Sequence, residues 1–348
     1  MNPTPNPTMP DQTPDETPDQ TPVGERAADA TVAGQPASNE RAAGPTSPGP
    51  ETNPSPENSP ASEIHPSRES TRDSWLRRIG IGLTATVAML VAAFGSLPML
   101  LIPGLPVPNS GVTPATAATM TIAGILNSLV ALGLVWLLTK LWRRDSVAGA
   151  GFRFPARGLA YGLLATVIGI AVTMAGRMLA VPLGVGEQVT PDPGQVMPAL
   201  VPLIIWTLSR ALLLQGFPEE LLLRGFLMRQ LSLGGLRPVP TIAVSSVFFM
   251  VPHLLSSGGQ VTVADHLAYL LPPLGFAVLG GALACLWRSL WPAVGIHTGF
   301  HLASPLTELL PVVRTGAATD VVLGLFYLLV SIPVLVAVAR RKDAVVEL

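Results

Sequence analysis

The sequence predicts an all-α, polytopic membrane helix bundle of about eight transmembrane helices, preceded by a disordered N-terminal tail. Of the 348 residues, 49% are hydrophobic and 12% are charged, which is about half the charged fraction of a typical soluble domain. Long apolar runs recur through residues 75–348, whereas residues 1–74 contain hardly any large apolar side chains. This composition excludes an ordinary water-soluble enzyme.

The tail, residues 1–74, is rich in proline, threonine and acidic side chains. Its first 73 residues hold 15 of the 36 prolines, and 12 acidic residues against 4 basic ones. Because such a segment cannot bury enough apolar surface to offset its chain entropy, we predict that it is disordered. No basic start and apolar core follow Met1, so we expect the first hydrophobic span to remain as an uncleaved anchor. We expect the tail to be a cytoplasmic spacer without chemistry.

Residues 75–348 form the predicted transmembrane domain, because eight apolar stretches there are long enough to cross a bilayer. Crossing takes about 20 residues of helix, and only helices or closed barrels satisfy the backbone in lipid. The eight stretches are roughly 79–102, 117–139, 158–182, 197–215, 239–256, 266–287, 292–310 and 320–339. The segment from Pro218 to Leu231 is interrupted by charges, so we predict a separate half-length or interfacial helix there.

Lysine and arginine in short loops predict the orientation of these spans. With eight crossings, one side of the membrane receives nearly all of the basic loop residues: Arg77, Arg78, Lys140, Arg143, Arg144, Arg153, Arg157, Arg229, Arg237, Arg288, Arg340, Arg341 and Lys342. This pattern predicts a multi-pass protein of the cell membrane with both termini in the cytoplasm.

Ionisable side chains within the predicted spans mark the expected site, because each is costly there unless it is paired or hydrated. They concentrate between residues 197 and 310, as Arg210, Glu219, Glu220, Arg224, His253, His297, His301 and Glu308. The first three helices offer chiefly Asn127 and Arg177. We therefore expect any chemistry to lie at about 197–310.

The first cluster of polar residues surrounds Glu219 and Glu220, directly after Pro218. Two acids at a helix start also suit a simple capping role. However, Glu220 and Arg224 are four residues apart and can pair on one helix face, while Glu219 is turned about 100° from Glu220. We predict that Glu220 and Arg224 form a structural clamp and that Glu219 is a free carboxylate directed into a polar cavity.

The second and third clusters supply histidines. Phe249 and His253 lie one turn apart, and Pro252 opens the helix beside His253, although a buried histidine is often only a core residue. His297 and His301 project from one helix face, with Gly295 and Gly299 on the other as a packing surface. Thr298 stands between the histidines where a zincin of the His-Glu-x-x-His type has its glutamate, so a conventional zincin is excluded.

Taken together in this order, the three clusters resemble the CPBP family of intramembrane proteases. The residues that carry the resemblance are Glu219-Glu220-x-x-x-Arg224, Phe249-x-x-x-His253 and His297-x-x-x-His301. That family includes type II CAAX prenyl endopeptidases and bacterial proteins of bacteriocin processing and immunity. The resemblance covers a catalytic core at about 197–310. It implies an intramembrane endopeptidase that hydrolyses a peptide bond in a lipidated, CAAX-like or transmembrane protein or peptide.

The resemblance also implies roles for the site residues. Glu219 would act as the general base with His253 as its partner, and His297 and His301 would line the oxyanion side. Glu220, Arg224 and Phe249 would give structural support. The family usually has Asn or Asp where this sequence has His301, and a neutral histidine can donate a similar hydrogen bond.

The sequence predicts the cofactors and partners only by class. The single Cys285 excludes a multi-cysteine zinc site and an iron–sulfur cluster, and zinc remains a candidate metal with His253, His297, His301 and Glu219 as candidate ligands. The expected partners are the lipid bilayer and a membrane-associated protein or peptide substrate, with no nucleic acid. Two alternative functions stay open. One is a non-proteolytic immunity or scaffold protein, and the other is a proton-coupled transporter. The transporter is disfavoured because the two halves of the sequence lack the similarly interrupted helices of inverted-repeat carriers.

Overall fold

The computed structural model describes residues 68–142, 146–189, 200–256, 260–306, 312–313, 316–341 and 348. Two five-residue 3₁₀ helices, Leu97–Leu101 and Val251–Leu255, occur in this part of the chain. It also contains nine longer helical segments and two short strands. In order they are α1 (Arg68–Ala93), α2 (Pro114–Trp142), α3 (Ala156–Leu179), β1 (Gln188–Val189), α4 (Leu200–Leu233), α5 (Pro238–Met250), α6 (Val263–Tyr269), α7 (Leu271–Trp287), α8 (Trp291–Leu306), β2 (Val312–Val313) and α9 (Ala317–Ala339). The fold is all-helical, as predicted, apart from the two-residue strands, which pair antiparallel.

Seven of the described helical segments are long and apolar enough to cross a membrane, so the chain is a multi-pass membrane protein. They are 74–101, 114–142, 156–179, 200–233, 238–255, 263–287 and 317–339. The eighth predicted span, 292–310, is the 16-residue helix α8. Residues 307–310 of this span lie outside the described residues, and residues 292–299 are all buried. It packs against α3, α4 and α7.

One prediction about the helices is wrong. The segment from Pro218 to Leu231 is not a separate short helix but the second half of α4, which continues to Leu233. Its charged residues interrupt the apolar pattern because this half lies in the protein interior, where Leu221, Leu222 and Leu223 are fully buried. Protein, and not lipid, surrounds these charges.

The predicted tail lies almost wholly outside the described residues, so its disorder stays a prediction. Helix α1 begins at Arg68, inside the segment 1–74. Its first turns carry the polar sequence Arg68 to Ser74. Apolar run length therefore did not predict that the helix begins before the membrane span.

Helix α8 packs closely along α3 through small residues. A Cβ atom added to Gly299 would meet the Thr166 carbonyl oxygen and would lie 2.9 Å from the Ile170 nitrogen. A Cβ atom on Gly169 of α3 would lie 2.7 Å from the Ile296 carbonyl oxygen. Only glycine permits this backbone approach, and the packing leaves the other face of α8, with its histidines, directed into the bundle.

Candidate active site

Helix α4 carries the first set of polar residues and departs from regular α-helix on both sides of them. Ser209–Gly216 and Leu221–Met228 are π-helical, with Phe217–Glu220 between them. In the first stretch the Phe217 amide donates to the Leu212 carbonyl, five residues back. The next donor in this register would be Pro218, which has no N–H.

Helix α2 supplies the missing donor. The Ser128 hydroxyl donates to the Leu213 carbonyl at 2.7 Å, the oxygen that Pro218 leaves without an amide partner. A second contact, 2.7 Å between the Thr121 and Ser209 hydroxyl oxygens, joins the same two helices. The irregular turn that bears Glu219 and Glu220 is thus held by hydrogen bonds from a neighbouring helix, which is how broken backbone is satisfied in membranes.

Glu220 and Arg224 form a buried ion pair. The Arg224 Nε lies 3.1 Å from Glu220 Oε2, and Nη1 donates to Oε1 at 3.2 Å. The side chains are 0% and 2% exposed. The Arg224 guanidinium also lies over the Phe249 ring, 4.2 Å from its centroid. This is the clamp that the four-residue spacing predicts.

Glu220 also binds the third cluster, which the sequence did not indicate. The His297 Nδ1 donates to Glu220 Oε1 at 2.9 Å. This hydrogen bond places a proton on Nδ1, so that Nε2 of a neutral His297 is an acceptor. The Nε2 atom of His301 lies 3.2 Å from that acceptor and therefore donates to it. Arg224, Glu220, His297 and His301 form one continuous polar chain.

His253 is positioned by the local backbone of its own helix end. Val251–Leu255 forms a 3₁₀ turn after α5, and the His253 Nδ1 donates to the Phe249 carbonyl at 2.9 Å. The Phe248 carbonyl, which Pro252 deprives of a helical donor, accepts from the Thr86 hydroxyl at 3.4 Å. In this tautomer the Nε2 lone pair of His253 is available to a ligand.

Aromatic rings hold the imidazoles together. The Phe249 ring centroid lies 4.9 Å from that of His253 and 5.5 Å from that of His297. Phe276 of α7 lies 4.9 Å from His297 and 5.4 Å from Phe249. Phe249 therefore contacts Arg224, His253 and His297 at once. Phe276 was missed by the sequence analysis, because an apolar residue within an apolar helix carries no distinguishing signal.

Glu219 stands apart from this network. Its side chain is half-buried, and its Oε2 atom is buried with no hydrogen-bond partner among the residues that the structure describes. No hydrogen bond joins it to His253 or His297 within the described residues. Tyr269 lies within electrostatic range of Glu219. Of the two adjacent acids, Glu220 is bound by a cation and an imidazole, and Glu219 is the one without a partner.

The donors in the described part of the chain do not fit a metal site as they are arranged. No group of three or more His, Cys, Asp or Glu side chains there could hold a metal ion. The Nδ1 of His253 and both ring nitrogens of His297 are engaged in the contacts above. Zinc bound by His253, His297, His301 and Glu219 stays a sequence prediction, and we derive no step through a metal.

Two further residues at the site are not part of the motifs. Arg210, which the sequence analysis marked without a role, lies within electrostatic range of His301. Tyr269 lies in α6, in range of both Arg210 and Glu219, and no sequence signal distinguished it. Glu308, the remaining ionisable residue of the region, lies outside the described residues.

Comparison with known families agrees with this picture. Residues 201–303 match the family described as type II CAAX prenyl endopeptidase Rce1-like. The match includes every one of the site residues predicted from the three motifs, and it is consistent with the CPBP family of intramembrane proteases. No curated protein matches the chain.

Proposed function

Because residues 201–303 carry an Rce1-like domain, we propose that this chain is an intramembrane endopeptidase. Its substrate is a membrane-associated protein or peptide, either lipidated and CAAX-like or transmembrane. Glu219 and His253 activate the water that attacks the peptide bond. The observation that supports this proposal most directly is the Glu219 Oε2 atom without a hydrogen-bond partner, next to a network that joins Glu220, Arg224, His297 and His301.

The proposed reaction begins with water between Glu219 and His253. Glu219 accepts one proton of the water, and the Nε2 of His253 accepts a hydrogen bond from the other proton and so orients the molecule. The hydroxide then adds to the carbonyl carbon of the peptide bond. The carbon–nitrogen bond breaks as the proton held by Glu219 passes to the departing amine, which leaves one carboxylate and one amine.

The developing oxyanion requires donors. In the resting arrangement the His301 Nε2–H donates to His297 over 3.2 Å, a long hydrogen bond that is easily exchanged. When the oxyanion forms, His301 redirects this N–H to it, and Glu220 continues to fix the tautomer of His297. The Arg224–Glu220 pair acts as a support and does not take part in proton transfer.

The proposal is tested by reconstituting the wild-type protein and the Glu219→Gln variant in proteoliposomes with a prenylated CAAX peptide. General base catalysis contributes about 10²- to 10⁴-fold, so we expect the cleavage rate to fall by that factor in the variant. Asp265→Asn is the matched control, because Asp265 only caps the start of α6 through Thr262 and Val261. Equal cleavage by wild type and Glu219→Gln refutes the general-base role of Glu219, whereas no cleavage by either protein favours a non-proteolytic scaffold.

A further inference from the structure

Arg210 is a cation within membrane-length helix α4 for which the described residues provide no carboxylate partner. At the candidate site, Arg224 and His297 pair with an acid, and both bind Glu220. The Arg210 guanidinium instead lies over the Trp206 ring, 5.4 Å from its centroid. A guanidinium at membrane depth is costly without an anion or water, so the position of Arg210 requires an explanation.

The side chain of Arg210 does not lie on the lipid-facing surface of α4. That surface is formed by Val201, Ile204, Ile205 and Leu208, which are 43–66% exposed. At about 100° per residue, position 210 is roughly opposite the centre of this surface. It shares its face with Trp206, which is half-buried. Arg210 is nevertheless exposed, so the end of its side chain is accessible to a ligand.

Arg210 lies close to residues of the candidate active site. Ser209–Gly216, which contains Arg210, packs against α8, and Arg210 lies within electrostatic range of His301. It is also in range of Tyr269, which is in turn in range of Glu219. His301, Tyr269 and Glu219 are all half-buried, so none of the three is closed off completely by protein.

Trp206 fixes the position of the cation. Its Nε1 donates to the Pro108 carbonyl at 2.7 Å, and the stacked ring restricts the guanidinium from one side. The planar fork of donors is left free on its edge, where it matches the two oxygens of a carboxylate. The Tyr269 hydroxyl is a second donor in the same region.

We propose that Arg210 binds a carboxylate of the peptide substrate and so places the neighbouring peptide bond before Glu219. This inference rests on the proposed function. The carboxylate is either the C-terminal carboxylate of the peptide or an aspartate or glutamate side chain, and a lipid phosphate is the competing anion. Binding through Arg210 makes the enzyme selective for peptide bonds at a fixed distance from a negative charge.

The test measures peptide binding to protein that does not cleave. In the Glu219→Gln background, affinities are compared for Arg210, Arg210→Met and Arg210→Lys, with the exposed Arg340→Gln as the matched control. Three prenylated probes are used: a CAAX peptide with a free C-terminal carboxylate, the same peptide with a C-terminal amide, and the amidated peptide with one aspartate near its end.

We expect Arg210→Met to weaken binding of the free-carboxylate peptide roughly 10- to 100-fold, as for a partly buried charge pair. Binding of the plain amide should not change, and Arg210→Lys should keep part of the affinity. If only the amidated aspartate peptide responds to Arg210, the carboxylate comes from a side chain, which also supports the proposal. Gel filtration and thermal unfolding identify folded variants, and the lysine variant decides the result if the methionine variant is misfolded.

Several results would overturn the proposal. One is that Arg210→Met loses affinity equally for the free-carboxylate peptide and the plain amide peptide. Another is that Arg210→Met loses no affinity for any probe, and a third is that no probe binds to the protein. A loss that follows the content of anionic phospholipid in the nanodisc would assign Arg210 to a lipid phosphate. The proposed function is tested separately from the binding of the carboxylate, because the binding comparison does not depend on turnover. The proposed function fails if the Glu219→Gln variant still cleaves the peptide.

Discussion

At the scale of single residues, two adjacent glutamates have different surroundings and hence different proposed roles. Glu220 is 2% exposed and binds Arg224 and His297, whereas Glu219 Oε2 has no partner in the described part of the chain. The four-residue spacing of Glu220 and Arg224 was sufficient to predict which acid is bound by the arginine. The link from Glu220 to His297 could not be predicted, because it joins residues 77 positions apart and depends on the packing of α4 against α8.

Glu220→Gln should destabilise the protein, unlike Glu219→Gln. The substitution leaves the fully buried Arg224 without a compensating charge, which costs about 3–5 kcal/mol. Thermal or denaturant unfolding in detergent measures the difference between the two variants. If Glu220→Gln unfolds like wild type while Glu219→Gln is the unstable variant, the roles assigned to the two acids are reversed.

His301→Asn should keep most of the activity, since an asparagine amide donates the same kind of hydrogen bond to an oxyanion. We expect its cleavage rate to remain within about tenfold of wild type, and that of His301→Ala to fall roughly 10²- to 10³-fold. Rates are measured with a prenylated CAAX peptide in proteoliposomes. Full activity of the alanine variant would show that His301 does not stabilise the oxyanion.

Metal dependence is a separate prediction at this scale. Because the described donors do not gather into a metal site, we expect 1,10-phenanthroline to leave the cleavage rate unchanged. The measurement is a chelator titration on active protein, followed by addition of zinc. Loss of activity that zinc restores would show that the histidines rearrange around a metal.

At the scale of helices, backbone irregularity and close packing position the site. Pro218 lies just after the π-helical stretch Ser209–Gly216 of α4. There the Ser128 hydroxyl donates the hydrogen bond to the Leu213 carbonyl that the proline cannot donate. The proline and the charges are visible in the sequence, and they were interpreted as a boundary between two helices. The helix in fact continues through this point in π-helical form, which could not be predicted because it depends on hydrogen-bond donors from α2. In contrast, the packing role of Gly295 and Gly299 followed directly from helical periodicity.

Gly299→Ala should destabilise the bundle, because the added Cβ would meet the backbone of α3 at Thr166 and Ile170. Overpacking of this kind costs about 1–3 kcal/mol. The matched control is Gly133→Ala in α2, where a Cβ meets nothing within 4 Å and alanine improves helix propensity by up to about 1 kcal/mol. Comparison of the two unfolding midpoints tests the packing, and equal midpoints would contradict it.

At the scale of the whole molecule, the polar residues of the site are concentrated where α8 packs with α3, α4 and α7. Composition and apolar run length predicted the membrane bundle, because lipid restricts the chain to helices. The eighth predicted span, 292–310, lies partly outside the described residues, so its crossing of the membrane stays a prediction. Residues outside the family match also contribute, as Ser128 and Thr86 supply hydrogen bonds to carbonyls beside the site. The orientation of the termini remains a prediction from the basic loops.

The central claim is that the Glu219 carboxylate activates water for cleavage of a polypeptide that the bundle binds. The most direct measurement is substrate trapping with Glu219→Gln in native membranes, followed by incubation of the trapped polypeptide with purified wild-type protein and mass spectrometry of the products. We predict that the variant retains an intact polypeptide, which the wild type cuts at one bond. A trapped polypeptide that both proteins cut at the same rate, or that neither cuts, would contradict the account.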